Sequence, residues 1–297
     1  MRLNFVSISE ILLFYCGYWV FEFVKEGMST MRDDTSEQAP VPVVILCGGQ
    51  GTRMRGDSKI KKELVPVGGR PMLWHMMKYY AAYGHRHFFL ALGFGADQIK
   101  RYFLEYDLMQ RDFTLSLGLP SHPTFHDHHD ESGWQITFID TGLHTNKAAR
   151  IRKVMSHLPG ARFFCAYGDD VSTVDLDALL RFHRAHGKLA TLTAIRPHSQ
   201  FGVLDLAEDG QVLGFREKPQ LDYWINGGFM VFEPGIFDYL QNGDDLDLER
   251  EVFAALASDA QLMVYRHSGY WHTMNTFKDV EAAERLWQGG KAPWKIW

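Results

Sequence analysis

Three glycines in four positions, Gly48, Gly49 and Gly51, follow a short apolar run in the segment Leu46-Cys47-Gly48-Gly49-Gln50-Gly51-Thr52-Arg53-Met54. Lacking a Cβ, they let the backbone turn tightly and bring its N–H groups against a polyanion. A guanidinium, Arg53, belongs to the same segment, and the ammonium groups of Lys59, Lys61 and Lys62 come soon after it. This combination suits phosphate chemistry. Two phosphorylated molecules carrying about six negative charges between them repel by several kcal/mol on contact unless cations are fixed nearby. A plain flexible turn and solvated lysines are the ordinary alternatives for such residues taken singly. Two familiar phosphate loops are excluded: a Walker loop needs Gly-Lys-Ser/Thr four residues after its first glycine, and the dinucleotide fingerprint needs glycine where Met54 stands.

The elements that must hold this loop alternate along the chain. From Pro42 onward, short β-branched or aromatic runs exchange with longer helical periodicities, which predicts an α/β fold with a mostly parallel sheet covered by helices. Strands are expected at 43–47, 88–92, 113–117, 135–140, 161–167 and 189–195, and helices near 71–83, 98–106, 148–157 and 176–186. Shorter strands at 202–206, 212–217 and 228–232 predict a small antiparallel annex. Helices around 234–240, 248–258 and 277–288 close the pattern. With no internal repeat and no low-complexity linker, residues 41–297 are expected to form one domain, and residues 1–40 an appendage of unknown role.

The chain has 297 residues, 46% hydrophobic and 23% charged, so a folded domain with a real core is expected rather than disorder or coiled coil. Lys and Arg number 31 against 36 Asp and Glu, for a net charge of −5, which offers nucleic acid no broad basic footprint. Cys16, Cys47 and Cys165 are far apart with no C-x-x-C pair, so neither a disulfide framework nor a thiolate zinc site is expected, and a reducing cytoplasm fits. The run from Ile11 to Val24 is apolar except for Glu22, but a spanning helix needs about 20 such residues. Only Arg2 precedes it and no A-x-A site follows, so a membrane span or secretory signal is not expected. An extra docking helix, or a start at Met28 or Met31, accounts for it instead.

The block G-G-Q-G-T-R-M, followed by K-E-L-V-P-V-G-G-R-P-M-L, resembles the signature of the sugar-1-phosphate nucleotidylyltransferases. Further along, LWHMMKYY, FCAYGDD, LRFHRAHGKLATLTA, FGVLDL, FREKP, INGGFMVF and the closing KAPWKIW resemble one branch, the glucose-1-phosphate cytidylyltransferases. The likeness runs from about Val43 to Trp297. It implies a Rossmann-like fold with helices on both faces of the sheet, a magnesium ion, a homo-oligomer, and formation of CDP-glucose and pyrophosphate from CTP and α-D-glucose 1-phosphate. It implies that Leu46, Cys47, Gly48, Gly49, Gln50, Gly51 and Thr52 wrap the nucleotide. Arg53 would grip the β- and γ-phosphates, and Lys62 would sit between the attacking sugar phosphate and the α-phosphate. Asp169, after Gly168 at the end of a strand run, matches the magnesium aspartate. Glu217, Lys218, Asn226 and Gly227 match the sugar-phosphate side.

Two departures stand out. A second metal aspartate, in a pattern like M-D-T, is here Met274-Asn275-Thr276, so a neutral amide takes its position and metal affinity is expected to fall. Asp170 replaces a glycine beside Asp169, but adjacent strand-end residues generally point to opposite sides. A base-reading loop usually written T-G-G-R is here Lys147-Ala148-Ala149-Arg150. An active cytidylyltransferase, a relative with another base or phosphorylated acceptor, and a nucleotide-binding homologue weakened at Asn275 therefore stand side by side. A glycosyltransferase is the weaker rival, because Asp169-Asp170-Val171 is not D-x-D. The tract His126-Asp127-His128-His129-Asp130 is expected to be a solvated loop, and His183 and His186 ordinary surface residues.

Overall fold

Val43–Cys47 (β1) is buried along its whole length, as a strand covered on both faces must be. It begins the sheet in the computed structural model, which describes residues 40–49, 60–118, 122–241 and 243–297. The appendage expected at 1–40, apart from its last residue, and the loop positions Gln50, Gly51, Thr52, Arg53 and Lys59 lie outside the described residues. A 3-10 turn at Lys62–Leu64 leads through the hairpin β2 (Pro66–Val67) and β3 (Arg70–Pro71) into α1 (Met72–Ala82). Next come β4 (His87–Leu92), α2 (Ala96–Leu104), α3 (Tyr106–Gln110), the hairpin β5 (Phe113–Thr114) and β6 (Thr124–Phe125), β7 (Gln135–Asp140) and α4 (Lys147–Val154). The chain continues with β8 (Phe163–Tyr167), β9 (Asp170–Ser172), α5 (Leu176–His186), β10 (Ala190–Ile195), β11 (Val203–Leu206), β12 (Val212–Arg216), β13 (Ile225–Asn226) and β14 (Met230–Phe232). It closes with a π-helical turn at Leu248–Val252, then α6 (Phe253–Ser258), β15 (Leu262–His267), β16 (Trp271–Thr273) and α7 (Phe277–Gln288).

The main sheet runs β7-β4-β1-β8-β14-β10, with β13 and β15 also on β10. β1, β4, β7 and β8 pair in parallel, as do β10 and β15, whereas β14 is antiparallel to both of its neighbours. The α/β class and the mixed, mostly parallel sheet agree with the sequence reading. Some details differ from it. Residues 228–232 belong to the main sheet through β14, so the annex reduces to the β11–β12 hairpin. The run 113–117 forms only the exposed two-residue rung of β5. β15, a full parallel strand, went unforeseen because it is only partly buried and alternates weakly.

Period-two alternation divides the strands between two cores. Val43, Ile45, Phe88, Leu90, Phe164 and Ala166 face one side with α1 and α5, while Val44, Phe89, Phe163 and Cys165 face the other with α4 and α6. His183 is not a surface residue. It is buried on the inner face of α5, 2.7 Å from Thr191 Oγ1 and 3.2 Å from Glu233 Oε1. The histidine tract is also more than a solvated loop: His129 lies 2.7 Å from Asp107, while Lys78 donates to the neighbouring buried Glu131 at 2.7 Å. No helix among the described residues is long and apolar enough to cross a membrane.

The C-terminal tail closes the first core. Trp294 is fully buried, lies against Tyr270 with ring centroids 5.7 Å apart, and directs its indole N–H toward His75 Nδ1 at 3.5 Å. Replacing a buried aromatic with alanine removes its transfer free energy and leaves a cavity. Trp294→Ala should therefore cost about 3–5 kcal/mol in urea unfolding, and a loss below about 1 kcal/mol would contradict this packing.

Candidate active site

β1 carries the glycine loop and β8 carries Gly168 and Asp169, and the two strands are parallel neighbours. The chain leaves β1 toward β4 and β7 on one side and returns to β8 on the other. Their carboxyl ends thus open at a reversal of strand order, where α/β sheets form their ligand crevices. The cavity there has a volume of about 730 Å³.

Asp169 and Asn275 are 106 positions apart in sequence and meet through a strand pair. β16 lies antiparallel to β9 with Thr273 opposite Asp170, and the Met274 N–H donates to the Asp169 carbonyl at 3.0 Å. Immediately afterwards α7 starts with a capping box in which Asp279 accepts from the backbone N–H groups of Asn275 and Thr276 at 3.0 and 2.7 Å. This seats Asn275 at the helix entrance. Lys62 projects from the 3-10 turn after the glycine loop, donates to Asn275 Oδ1 at 2.8 Å and forms an ion pair with Asp169. Two oxygen acceptors therefore converge on one ammonium. Among the described residues, no three His, Cys, Asp or Glu side chains group so as to hold a metal by themselves.

Arg150, on α4, lies beneath the loop. Its guanidinium donates to the carbonyls of Leu92 at 3.0 Å, Gly142 at 2.8 Å and Gly48 at 3.2 Å, and to Thr141 Oγ1 at 2.5 Å. It packs so closely that a Cβ on Gly48 would come within 2.1 Å of the guanidinium carbon, which explains glycine at that position. The Lys147-Ala148-Ala149 segment is not a loop: it forms the first turn of α4, with both alanines fully buried. Lys147 lines the cavity, pairs with Glu249 and lies 5.0 Å from the centroid of the Tyr167 ring. Tyr167 donates to Glu249 Oε1 at 2.8 Å and accepts from Asn226 Nδ2 at 3.1 Å, so a polar chain runs across the cavity wall from Lys147 to Asn226.

The cavity brings together Leu46, Gly48, Gly49, Lys62, Lys147, Arg150, Asp169, Asn226 and Asn275 from the sequence-predicted set. Cys47 is buried behind it, with burial pushing its thiol pKa up, and Gly227 accepts a 2.8 Å hydrogen bond from the Trp271 indole. Glu217 and Lys218 are exposed beyond the lining and paired with each other at 3.5 Å. Asp170 faces the same cavity as Asp169 rather than the opposite side, contrary to the alternation expected of strand-end neighbours. Burial first, and the Asp169 charge second, push its carboxyl far above the usual range.

A model of the nucleotidyl transferase family matches residues 42–288. The glucose-1-phosphate cytidylyltransferase of Salmonella typhi is 40% identical over 257 residues, covering 86% of this chain and 98% of the relative. The chain belongs to the nucleotidyl transferase family. A mannose-1-phosphate guanylyltransferase from Mycobacterium tuberculosis is more distant, 30% identical over 248 residues, covering 80% of this chain and 62% of that one. A crystal structure of UDP-glucose pyrophosphorylase complexed with UDP-glucose shares the fold, with a TM-score of 0.61 at 13% identity over 84% of this chain and 99% of that one.

In this nucleotidyl transferase, Tyr167, Glu249, Trp271 and Thr273 join the cavity without having been singled out in the sequence. Tyr167 ends a buried strand and reads as a core aromatic. Glu249 sits in a helical pattern and reads as a surface charge. Glu63 also lines the cavity, its carboxylate 3.2 Å from the buried Lys61 ammonium. Burial pushes the Glu63 pKa up to about 7, against the pull of Lys61 and with a further push from Asp169. The folded protein thus binds a proton more tightly at Glu63 than the unfolded chain does, so this residue's contribution to stability falls as pH rises from about 4.5 to 7. The stability of Glu63→Gln relative to the parent should rise across that window by on the order of 3 kcal/mol and then level off. Paired melts at pH 5, 6, 7 and 8 check this, and a constant difference would contradict it.

Proposed function

We propose that the protein is a glucose-1-phosphate cytidylyltransferase that makes CDP-glucose and pyrophosphate from CTP and α-D-glucose 1-phosphate. The observation that carries this reading is the convergence of Lys62, Asp169 and Asn275 beside the glycine loop in one cavity. The choice of base draws its support from the 40% identity to a cytidylyltransferase against 30% to a guanylyltransferase.

In the proposed reaction, a phosphate oxygen of the sugar phosphate attacks the α-phosphorus of CTP, and the bond to the β-phosphate breaks as pyrophosphate leaves. No proton needs to move. The difficulty is bringing two polyanions together in line, so fixed positive charge and positioning are what the protein must supply. Lys62 lies where its ammonium can leave Asp169 for the phosphate oxygens. Arg53, outside the described residues, would grip the β- and γ-phosphates by its match to the family signature. Asn226, fixed by Tyr167 and by its own acceptance from the Gly228 N–H at 3.0 Å, would bond a sugar hydroxyl. The donor set of Asp169 and Asn275, two hard oxygens on one point, fits Mg2+, which takes one or two protein oxygens plus substrate phosphates. Bound there, the ion would neutralise triphosphate charge. The reading further places the enzyme in the cytoplasm as a homo-oligomer.

Asn275 favours a second reading, in which nucleotide binds but turnover is weak. Pyrophosphate release assayed with CTP, UTP, dTTP, ATP and GTP against glucose 1-phosphate separates the two. The expected outcome is turnover with CTP and detection of CDP-glucose. Calorimetric CTP binding without product would support the second reading, and turnover with a different base alone would reject the first. Lys62→Met should lower kcat by about 100-fold or more while leaving the fold intact. Asn275→Asp should restore a negative ligand and lower the Mg2+ concentration needed for half-maximal activity about tenfold. An unchanged Mg2+ titration would remove Asn275 from the metal site.

A further inference from the structure

Two successive carbonyls at the entrance of the glycine loop are each held by a buried cation: Gly48 by Arg150 at 3.2 Å and Gly49 by Lys61 at 2.5 Å. Neither Lys61 nor Glu63 takes part in the chemistry above. Lys61 is almost entirely buried. Its backbone N–H donates to Gln98 Oε1 at 3.0 Å, its ammonium lies 5.7 Å from the centroid of the Phe94 ring, and its stem packs on Gly95, where a Cβ would come within 2.9 Å. A charge so buried persists only with a partner. That partner is Glu63, with Oε2 3.2 Å from the ammonium and otherwise without a hydrogen-bond partner. Gly168 supports Glu63 from the far side, where a Cβ would come within 2.9 Å of its Cγ.

We propose that Lys61 and Glu63 are positioning residues for the nucleotide: the Glu63 carboxylate aims the Lys61 ammonium at the Gly49 carbonyl, and this clamp fixes the Gly48–Gly49 backbone against which a triphosphate is received. In a trans peptide the carbonyl and the following N–H point in opposite directions. Holding the Gly48 oxygen on Arg150 therefore turns the Gly49 N–H the other way, and Lys61 holds the Gly49 oxygen. A carbonyl free to swing toward a phosphate would present its negative end to an anion. Above about pH 7, where Glu63 is ionised, the Lys61–Glu63 pair has no net charge and its effect on the ligand is geometric. It acts on nucleotide affinity rather than on the charge developed during displacement, which is the task of Lys62. The inference rests on the reading of the glycine loop as the nucleotide site.

The test removes both charges together, because a single substitution strands a buried ion. The double variant Lys61→Met, Glu63→Met should melt within a few degrees of the parent, since apolar replacement of a buried pair is often neutral. Its KM for CTP and its calorimetric Kd for CTP should rise about tenfold or more, while kcat and the KM for glucose 1-phosphate change by less than about threefold. Lys61→Arg, which retains a cation opposite Glu63, should recover part of the CTP affinity. An unchanged CTP Kd in a folded double variant would overturn the proposal. So would an equal rise in both KM values, or loss of the cooperative melt, since each makes the pair merely structural. The parent is titrated with CTP, UTP and ATP in parallel. Binding of UTP or ATP in place of CTP would reject the cytidylyl reading yet leave the clamp measurable with that nucleotide, whereas binding of none would reject the glycine-loop reading and the clamp with it.

Discussion

Repulsion between two sets of phosphate charges is the constraint around which this fold is arranged. Water screens such charges well, and a cavity screens them poorly. Around the cavity the protein sets cations, each partnered by neighbouring groups. Lys62 rests on Asp169 and Asn275, Lys61 on Glu63 and a carbonyl, Arg150 on four carbonyls and a hydroxyl, and Lys147 on Glu249. Each is held differently, and the difference sorts their work. Arg150 spends its donors on backbone and so holds the entrance of the loop at Gly48, whereas Lys62 is bound to side chains.

The parallel arrangement of β1 and β8 makes this possible with little machinery. Parallel strands end at the same edge, so a glycine loop and a carboxylate from distant parts of the sequence emerge side by side. The third contribution, Asn275, needs more: a short antiparallel pairing of β9 with β16 and a helix cap that fixes the backbone on either side of the amide. These local devices, each modest in energy, give a side chain near the C-terminus a defined place in a site begun near residue 46.

Much of this was legible in the sequence, for physical reasons that can be named. The first strand, the amphipathic helix α5 and the glycine loop declare themselves by period, apolar length and residue type. Lys62, Asp169 and Asn275 were legible only because signature blocks resemble a family, since nothing in local spacing ties residues so far apart. What escaped reading depends on the third dimension. His183 has the composition of a surface residue, yet its position on α5 turns it inward onto Thr191 and Glu233. Glu63 and Lys61 look like solvated charges in a polar stretch, and their burial arises because α2 and the turn after β8 close over them. Strand β15 escaped because an edge strand is half exposed and its alternation is weak.

The β9–β16 pairing also bears on when this catalyst comes into being. A ribosome releases residues in order, and the strand that brings the amide to the ammonium emerges after every strand of the main sheet, ahead of the helix that caps it and the tryptophan that seals the core. Until those residues clear the exit tunnel, the glycine loop and the aspartate exist without the third wall of their cavity. A chain that stops short of β16 can thus own every strand of the main sheet and still lack this geometry.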